Sequence, residues 1–365
     1  MLSDLPIRAV SARAFTVPTD APEADGTFAW EKTTLVFVEV HAGGKTGIGY
    51  TYADACLVKL IDSVLAAAIT GRDVLAIGAA WLAMQRAVRN LGRSGLASCA
   101  ISAIDVALWD LKAKLLDLPL ARLLGSVRQS VPIYGSGGFT TYSDSQIQDQ
   151  LAGWVERDGC RAVKMKIGTH PDQDPHRVDV ARRAIGTAAL FVDANGALSA
   201  RQACYFGKQF AETADIRWFE EPVSSDDLPG LRFVRDHSPA GIDIAAGEYV
   251  YTQDDARLML ASGAVDVQQA DVTRCGGITG FLAIGNLCDA HHVDLSGHCA
   301  PAVHLHAACA APRFRHLEWF HDHVRIERMF FDGAPQPVAG TIRPDLSRPG
   351  LGLTLKAADA ERYAV

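Results

Sequence analysis

The sequence predicts an α/β fold in which a (β/α)8 barrel follows a smaller α+β domain. From Val131 onward, eight short β-rich runs alternate with helical stretches. This pattern indicates parallel strands joined by right-handed crossovers. Eight units over about 200 residues match the size of a (β/α)8 barrel. An open doubly wound sheet is the alternative, although no Gly-x-Gly-x-x-Gly phosphate loop follows the first of these strands.

The N-terminal part of the chain begins with strands. β-Branched and apolar residues dominate Ile7–Val17 and Thr34–His41, and Gly43-Gly44 stands where a hairpin turn is expected. Between the two runs, Pro18–Trp30 is polar and rich in turn-forming residues, which predicts a long loop. Loops of this length inside compact domains are usually functional or disordered, and we interpret this one as a candidate lid.

Helical spacing of Ala, Leu and Ile then dominates from Cys56 to Gly125. We therefore predict an α+β domain over residues 1–128 and a barrel domain over residues 129–340. The tail, residues 341–365, contains prolines and glycines and is expected to return to the first domain.

Composition excludes several classes of protein. The 42 acidic and 35 basic residues give a formal charge of −7, which argues against a nucleic-acid partner. No apolar run is long enough for a membrane span, and Met1–Ser11 lacks the apolar core of a signal peptide. The eight cysteines form no Cys-x-x-Cys pair. We expect reduced, mostly buried thiols in a cytoplasmic protein.

Ionisable residues follow the second to the eighth predicted barrel strand. Successive members of this series are 20 to 28 residues apart, the length of one βα unit. They are Lys164 and Lys166, Asp193, Glu220, Glu248, Asp271, His298 and Glu318. A single acidic residue at a strand end is more often a helix cap. Seven positions in register instead predict a catalytic site at the C-terminal face of the barrel.

Three of these residues, Asp193, Glu220 and Glu248, bring carboxylates from adjacent strands together. Unpaired carboxylates repel one another, which raises their pKa values. A hard divalent cation relieves this repulsion, and all-oxygen ligation favours Mg2+ over zinc. A cluster neutralised by arginine is the alternative, but no arginine stands at the neighbouring strand ends.

The remaining members of the series are suited to proton transfer. Lys164 and Lys166 lie two residues apart, so both side chains face the barrel interior. Burial beside a second cation predicts a depressed lysine pKa, as a general base requires; a structural ion pair is the alternative for one of the two. A hydrogen bond from Asp271 would fix the tautomer of His298 and raise its basicity. Glu318 could hydrogen-bond a substrate carboxylate as charge builds on it.

At this point the chain resembles the enolase superfamily, mandelate racemase subgroup. The resemblance rests on Lys164-x-Lys166, the three acidic residues, the Asp271/His298 pair, and the helix Ala100–Lys114 with the following Leu123-Leu124-Gly125. It implies a TIM-like, modified (β/α)7β barrel with an α+β capping domain. It also implies an even-numbered homo-oligomer.

The same resemblance implies residue roles. Asp193, Glu220 and Glu248 would hold Mg2+, which binds the carboxylate of a small-molecule substrate. Lys166 would be the base on one face and His298 the base or acid on the other, oriented by Asp271. Lys164 and Glu318 would contact the substrate carboxylate. Supporting roles would fall to Asn195 and Glu221.

Removal of the proton α to a carboxylate can lead to dehydration, to racemisation or epimerisation, or to cycloisomerisation. Hydroxyl-rich loops at Gly135–Tyr142 and Tyr50–Ala55 favour a polyhydroxy acid, unless these are ordinary solvated loops. We therefore predict an acid-sugar dehydratase, with a non-catalytic scaffold as a remote alternative. The candidate substrate contacts are Trp30, Tyr52, Thr140 and His321.

Overall fold

The computed structural model describes residues 5–365, so the first four residues of the predicted domain 1–128 lie outside the described residues. The N-terminal part contains a three-stranded antiparallel sheet in the order β1-β2-β3. Its strands are β1 (Ala9–Ala24), β2 (Ala29–Ala42) and β3 (Lys45–Tyr52). Gly43 and Gly44 form the predicted hairpin turn, both with positive φ, a conformation that glycine adopts without strain.

The prediction of a long loop at Pro18–Trp30 is largely wrong. β1 and β2 continue to pair through Glu23↔Trp30 and Ala24↔Ala29, and only the four residues between Ala24 and Ala29 form a turn. The polar residues concealed the strands because the ladder shifts register between Pro18 and Glu23, where prolines are tolerated. We call this distal part of the β1–β2 hairpin, residues 18–34, the hairpin extension. Within it, Trp30 Nε1 donates a 2.8 Å hydrogen bond to Glu23 Oε2.

Helices pack on one face of the sheet. They are α1 (Leu57–Leu60), which continues through a π-helical turn at Ile61–Leu65 into α2 (Ala66–Ile69), then α3 (Ile77–Ala87), α4 (Leu96–Leu115) and α5 (Leu120–Leu124). Most of α4 is buried. It approaches β3 so closely that a Cβ on Gly49 would lie 2.2 Å from the Ala103 carbonyl oxygen, which explains this glycine.

The second part is a closed barrel of eight parallel strands, which confirms the predicted fold class. The strands follow one another in chain order, and the last pairs with the first. They are β4 (Val131–Gly137), β5 (Ala162–Lys166), β6 (Ala189–Asp193), β7 (Ile216–Glu220), β8 (Asp243–Ala246), β9 (Val267–Ala270), β10 (Asp294–Gly297) and β11 (Phe314–Phe320).

A helix follows every barrel strand. These helices are α6 (Asp144–Glu156), α7 (Asp174–Ala184), α8 (Ala200–Ala214), α9 (Leu228–His237), α10 (Gln253–Ser262), α11 (Gly277–Ala290), α12 (Pro301–Ala310) and α13 (His321–Phe330). The tail adds the short elements β12 (Phe331–Asp332), β13 (Thr341–Ile342), β14 (Thr354–Leu355), α14 (Ala357–Ala360) and a 3-10 turn at Glu361–Tyr363. At its end, Val365 N donates to Ala14 O at 3.1 Å.

Polar side chains of α4 join the N-terminal domain to the barrel. Ser102 Oγ accepts hydrogen bonds from the amides of Gly276 and Gly277, and Asp105 accepts from the amide and hydroxyl of Thr279. A Cβ on Gly277 would lie 2.3 Å from Asp105 Oδ2, so glycine is required at this junction. These bonds fix the N-terminal domain relative to β9 and α11.

Two further observations concern the protein's environment. Among residues 5–365, no helix is long and apolar enough to cross a membrane. The eight cysteines, all within the described part of the chain, are free, and six of them are buried. The prediction of reduced, mostly buried thiols agrees with this arrangement.

We predict that His306 makes the fold acid-sensitive. The ring is buried; Nδ1 accepts from Ala121 N and Nε2 donates to Leu351 O, each at 3.1 Å. Burial lowers its pKa from 6.5 to about 4. The unfolded chain therefore takes up this proton first as pH falls. The stabilisation is complete above pH 6.5 and is lost towards pH 4, at most about 3 kcal/mol.

Urea unfolding at about pH 7.5 and about pH 4.5 tests this prediction. His306→Gln should be less stable than wild type at the higher pH, and the difference should shrink at the lower pH. His291→Gln, which alters an exposed histidine, is the matched control. An equal difference between His306→Gln and wild type at both pH values would contradict the prediction.

Candidate active site

Strand register places the first functional residues side by side. Lys166 of β5 pairs with Asp193 of β6, and Asp193 pairs with Glu220 of β7. Neighbouring strands lie about 4.8 Å apart, so residues in register on the same face are in contact. Glu248, Asp271 and His298 follow the next three strands in the same order, and Glu318 lies within β11, two residues before its end. The C-terminal end of the barrel therefore collects the whole predicted series.

The carboxylates of Asp193, Glu220 and Glu248 form one buried cluster. One oxygen from each lies within 4.8 Å of the others. Nearby, Glu221 Oε1 and Asn195 Oδ1 are buried without a hydrogen-bond partner. Oxygen atoms of this kind and number suit Mg2+, which prefers oxygen ligands and retains water. The residues present therefore fit the predicted magnesium site.

Both lysines are buried and paired with carboxylates. Lys164 Nζ lies 2.5 Å from Glu220 Oε1, 2.8 Å from Glu318 Oε1 and 3.1 Å from Asp193 Oδ2. Lys166 Nζ donates to Asp193 Oδ2 at 2.6 Å. Burial lowers the pKa of each lysine, but the facing carboxylates raise the pKa by a larger amount. Both pKa values therefore lie above the ordinary range. The prediction of a depressed lysine pKa is therefore wrong for this arrangement, because carboxylates as well as a second cation surround each amine.

The three carboxyl groups differ in pKa. Burial, then the neighbouring Asp193 charge, raises the pKa of Glu220 to about 8. Burial also raises the pKa of Asp193, but the charge of Lys166 outweighs this effect and the pKa is lowered overall. The charge of His298 does the same for Glu248. The predicted upward shift therefore holds for Glu220 alone of these three. The raised pKa of Glu220 reflects a local deficit of positive charge.

Sequence reasoning missed Arg274. Its guanidinium donates to Glu248 O at 3.1 Å and lies 3.6 Å from Glu248 Oε1 and 3.8 Å from Asp271 Oδ2. No arginine stands at the neighbouring strand ends, as expected, but Arg274 nevertheless reaches the cluster from the segment that follows β9. Arg274 comes three residues after Asp271, in the short segment before α11, so the folded segment and not the strand end brings it to the site. It faces one edge of the cluster and leaves Glu220 without an arginine partner among the described contacts.

Asp271 and His298 form the predicted pair. His298 Nδ1 lies 2.8 Å from Asp271 Oδ2, so Nδ1 carries the donated proton and Nε2 faces the cavity. Asp271 Oδ1 in turn accepts from the amide and hydroxyl of Thr273, each at 2.7 Å. Burial lowers the pKa of His298, but Cys299 and the carboxylates of Glu248 and Glu318 raise it above its ordinary value.

Glu318 joins both halves of the site. Oε1 accepts from Ser136 Oγ at 2.6 Å and from Lys164, whereas Oε2 accepts from the amide of Cys299 at 3.0 Å. Burial raises its pKa, but Lys164 and then His298 lower it more, so the group is ionised. An ionised Glu318 accepts hydrogen bonds and does not donate them. In this state Glu318 cannot donate a hydrogen bond to a substrate carboxylate. It instead accepts from Ser136, Lys164 and the Cys299 amide.

An aromatic layer supports the cluster from below. Tyr134, Phe191 and Trp218 fill the barrel interior, and Trp218 Nε1 donates to Glu220 Oε2 at 2.9 Å. Trp218 precedes Glu220 by two residues and so faces the same side of β7. This period-two relation was the sequence signal that could have found it.

A cavity of about 470 Å³ opens above the cluster and is bounded on the other side by the N-terminal domain. Lys166, Glu248, His298 and Glu318 line its floor. Residues of the hairpin extension and the β3 end line its roof: Asp25, Phe28, Trp30, Lys32, Thr33, Thr34, Tyr52, Ala53 and Asp54. Two of the four candidate substrate contacts, Trp30 and Tyr52, therefore line this cavity.

The other two candidates, Thr140 and His321, do not line this cavity. Thr140 Oγ1 donates to Asp25 O at 3.1 Å, and His321 Nε2 lies 3.0 Å from Asp20 Oδ2. Both side chains hold the hairpin extension instead of facing the cavity. The hydroxyls of Thr140 and Thr141 bind hairpin backbone carbonyls, so they no longer support a polyhydroxy substrate.

Comparisons with known protein families agree with both halves of this architecture. Residues 9–125 match the family model described as mandelate racemase / muconate lactonizing enzyme, N-terminal domain. Residues 146–360 match the model described as enolase C-terminal domain-like. The two matches together account for most of the chain.

The names of two characterised relatives indicate that they act on acid sugars. A 3,6-anhydro-alpha-L-galactonate cycloisomerase of Streptomyces coelicolor is 32% identical over 91% of this chain and 91% of its own. An L-talarate/galactarate dehydratase of Salmonella typhimurium is 33% identical over 79% of this chain and 74% of its own.

Two solved structures share the fold over nearly the whole chain. A mandelate racemase/muconate lactonizing enzyme-like protein from Rubrobacter xylanophilus is 51% identical with a TM-score of 0.96, covering 99% of this chain and 100% of its own. A racemase from Streptomyces coelicolor with bound magnesium is 30% identical with a TM-score of 0.92, covering 98% and 100%.

We predict that Mg2+ stabilises this protein through the three-carboxylate cluster. At about 100 times its dissociation constant, a ligand that binds only the folded state adds about 2.7 kcal/mol. Differential scanning fluorimetry should therefore show a rise in Tm with Mg2+ for wild type. Asp193→Asn and Glu220→Gln should lose this rise, whereas Glu212→Gln, on an exposed face of α8, should retain it. A full Mg2+-dependent rise in Asp193→Asn would place the ion elsewhere.

Proposed function

The chain belongs to the mandelate racemase/muconate lactonizing enzyme family of the enolase superfamily, and we propose that it dehydrates an acid sugar. The proposed enzyme removes the proton α to the substrate carboxylate and then expels the β-hydroxyl group. The observation that carries this proposal is the position of two proton-transfer groups on opposite sides of one carboxylate cluster. Lys166 contacts Asp193 at one end, and His298 Nε2 lies 3.4 Å from Glu248 Oε2 at the other.

Asp193, Glu220 and Glu248 would hold Mg2+, and solved relatives contain magnesium. When bound, the ion supplies a positive charge against which negative charge on the substrate carboxylate is stabilised. Lys164 remains a cation among three carboxylates and adds to the same positive field. Asn195 and Glu221 support this cluster with buried oxygens that lack other partners.

Lys166 is proposed as the base. Its Nζ lines the cavity floor and has Asp193 as its hydrogen-bonded carboxylate. In the dehydration, the α-carbon–hydrogen bond breaks and Nζ takes the proton, which leaves the electron pair in the enolate of the substrate. The amine must be neutral for this step. A cation that shares the Asp193 charge weakens the pairing that raises the pKa of Lys166.

His298 is proposed as the acid. Because Asp271 accepts from Nδ1–H, Nε2 is the ring atom that exchanges a proton with the cavity. The β-carbon–oxygen bond breaks, Nε2 donates its proton to the departing oxygen, and water leaves. The enol product then tautomerises to a 2-keto-3-deoxy acid. Glu318 positions this region by accepting from the Cys299 amide beside His298.

Cycloisomerisation is the second candidate, because the Streptomyces coelicolor relative that matches 91% of this chain is named as a cycloisomerase. The same two residues would serve an intramolecular addition or elimination across the enolate. Racemisation or epimerisation requires reprotonation from the opposite face. All these outcomes share the first proton transfer and differ in the fate of the enolate.

We also propose that the chain works as a cytoplasmic homo-oligomer with functional units at 1–128 and 129–340, the tail 341–365 belonging with the first. Family matches at 9–125 and 146–360 support a boundary between the two units, although the second match includes residues 341–360 of the tail. The hydrogen bonds from Val365 N to Ala14 O and from Leu351 N to Asp110 Oδ1 support contact of the tail with the first unit. Free, mostly buried cysteines support a reducing compartment. Exposed leucines of the N-terminal domain, including Leu82, Leu91 and Leu96, support contact with a second copy.

Dehydration is tested with a panel of aldonic and aldaric acids and their lactone or anhydro forms, each incubated with purified enzyme and Mg2+. At least one acid should yield a 2-keto-3-deoxy product, detected as its semicarbazone. Parallel incubation in D2O, followed by NMR, separates the alternatives. Exchange of the α-proton without loss of water indicates a racemase or epimerase, and ring opening or closure indicates a cycloisomerase. Mg2+ binding with no reaction on the panel would support the non-catalytic scaffold.

We predict that Lys166→Ala and His298→Asn each reduce kcat by about 10²–10⁴-fold, the usual contribution of a positioned acid or base. Mg2+ should still raise the Tm of both variants because neither residue is a proposed ligand. Lys208→Ala and His291→Asn remove exposed residues of the same types and should retain the wild-type kcat. Full activity in either site variant would remove that residue from the mechanism.

A further inference from the structure

Cys299 lies at the cavity beside His298 and is not used by the proposed reaction. Its Sγ lies 3.3 Å from His298 Nε2 and 3.3 Å from Glu318 Oε2. The remaining distance, from His298 Nε2 to Glu318 Oε2, is 3.7 Å. All three side chains are more than nine-tenths buried, yet each lines the cavity. We infer that these three residues form a second metal site, selective for Zn2+ or a similar soft cation, that inhibits the enzyme.

The triangle of donor atoms has the dimensions of a zinc site. Zn–S bonds are about 2.3 Å, and Zn–N or Zn–O bonds about 2.0–2.2 Å. A tetrahedral ion therefore separates its ligand atoms by about 3.3–3.6 Å. The three separations between donor atoms, 3.3, 3.3 and 3.7 Å, require shifts of only a few tenths of an ångström. The cavity supplies the fourth position for water or a substrate oxygen.

The surroundings also orient the ligands. His298 donates its other ring N–H to Asp271, the arrangement that fixes the tautomer of zinc-bound histidines. Glu318 Oε1 is held by Ser136 and Lys164, which leaves Oε2 to face the thiol. Zn2+ binding releases the thiol proton of Cys299 and the Nε2 proton of His298 to solvent. The resulting thiolate and imidazole donors select Zn2+ over Mg2+, whereas the carboxylate cluster favours Mg2+. The two sites therefore differ in metal preference although they share one cavity.

Inhibition follows from the proposed function. Zn2+ at this site would occupy the lone pair of His298 Nε2, the atom proposed to transfer the proton. Binding itself does not depend on that proposal. Metal binding and turnover are therefore measured separately, so that failure of one is distinguishable from failure of the other.

The binding test uses full-length, Mg2+-saturated protein as wild type, Cys299→Ser and Cys56→Ser, the last removing an exposed cysteine. Calorimetry should show one tight Zn2+ site in wild type and Cys56→Ser, and at least a tenfold weaker site in Cys299→Ser. Co2+ in place of Zn2+ should give a thiolate-to-cobalt charge-transfer band in wild type only if Cys299 is a ligand. Equal Zn2+ affinity in Cys299→Ser, or no thiolate band in wild type and Cys56→Ser, would overturn the site.

The inhibition test compares the rate of each protein with its own zinc-free rate. Zn2+ should inhibit wild type, excess Mg2+ should not relieve the inhibition, and the concentration for half-inhibition should rise at least tenfold in Cys299→Ser. Relief by Mg2+, with unchanged sensitivity in Cys299→Ser, would show that Zn2+ displaces Mg2+ from the carboxylate cluster and would overturn the inhibitory role. Zn2+ binding with a thiolate band in a protein that turns over no acid would support the site and count against the proposed function.

Discussion

The excess of carboxylate charge at the mouth of the barrel is the constraint on which the rest of the site depends. Six carboxyl groups are buried there: Asp193, Glu220, Glu221, Glu248, Asp271 and Glu318. Among the described residues, the lysine and arginine side chains that pair with them are Lys164, Lys166 and Arg274. Buried ionised groups are costly unless they are paired or bind a metal. The network therefore requires a further positive charge. The same carboxylates hold Lys164, Lys166 and His298 in defined positions.

Strand order converts this requirement into a directional site. Lys164 and Lys166 lie on β5, and His298 follows β10. The strands between them carry the carboxylates. The carboxylate cluster therefore has an amine on one side and an imidazole on the other. The aromatic layer of Tyr134, Phe191 and Trp218 fills the barrel below the cluster, and the cavity lies on the side bounded by the N-terminal domain.

The sequence was sufficient for the barrel and for most of its polar series because both depend on repetition. Each βα unit places one ionisable residue at the same face, so spacing alone related Lys166, Asp193 and His298. Three-dimensional effects limited the rest. The lysine pKa values depend on which anions lie opposite, and Arg274 reaches the cluster through a loop. Likewise, Thr140 and His321 were near the correct end of the barrel, but the hairpin extension uses them for its own attachment.

The tip of the hairpin extension has a consequence for how such an enzyme diversifies. Gly26 lies so close to the barrel that a Cβ there would be 2.2 Å from Ala194 O and 2.7 Å from Ile167 O. Gly26 therefore anchors the tip, whereas the flank that follows it, with Phe28, Trp30 and Lys32, faces the cavity. Substitutions on the flanks can alter substrate range while the anchored tip preserves the enclosure. Under the proposed function, recognition and chemistry would reside on separate segments of the chain and could evolve at different rates.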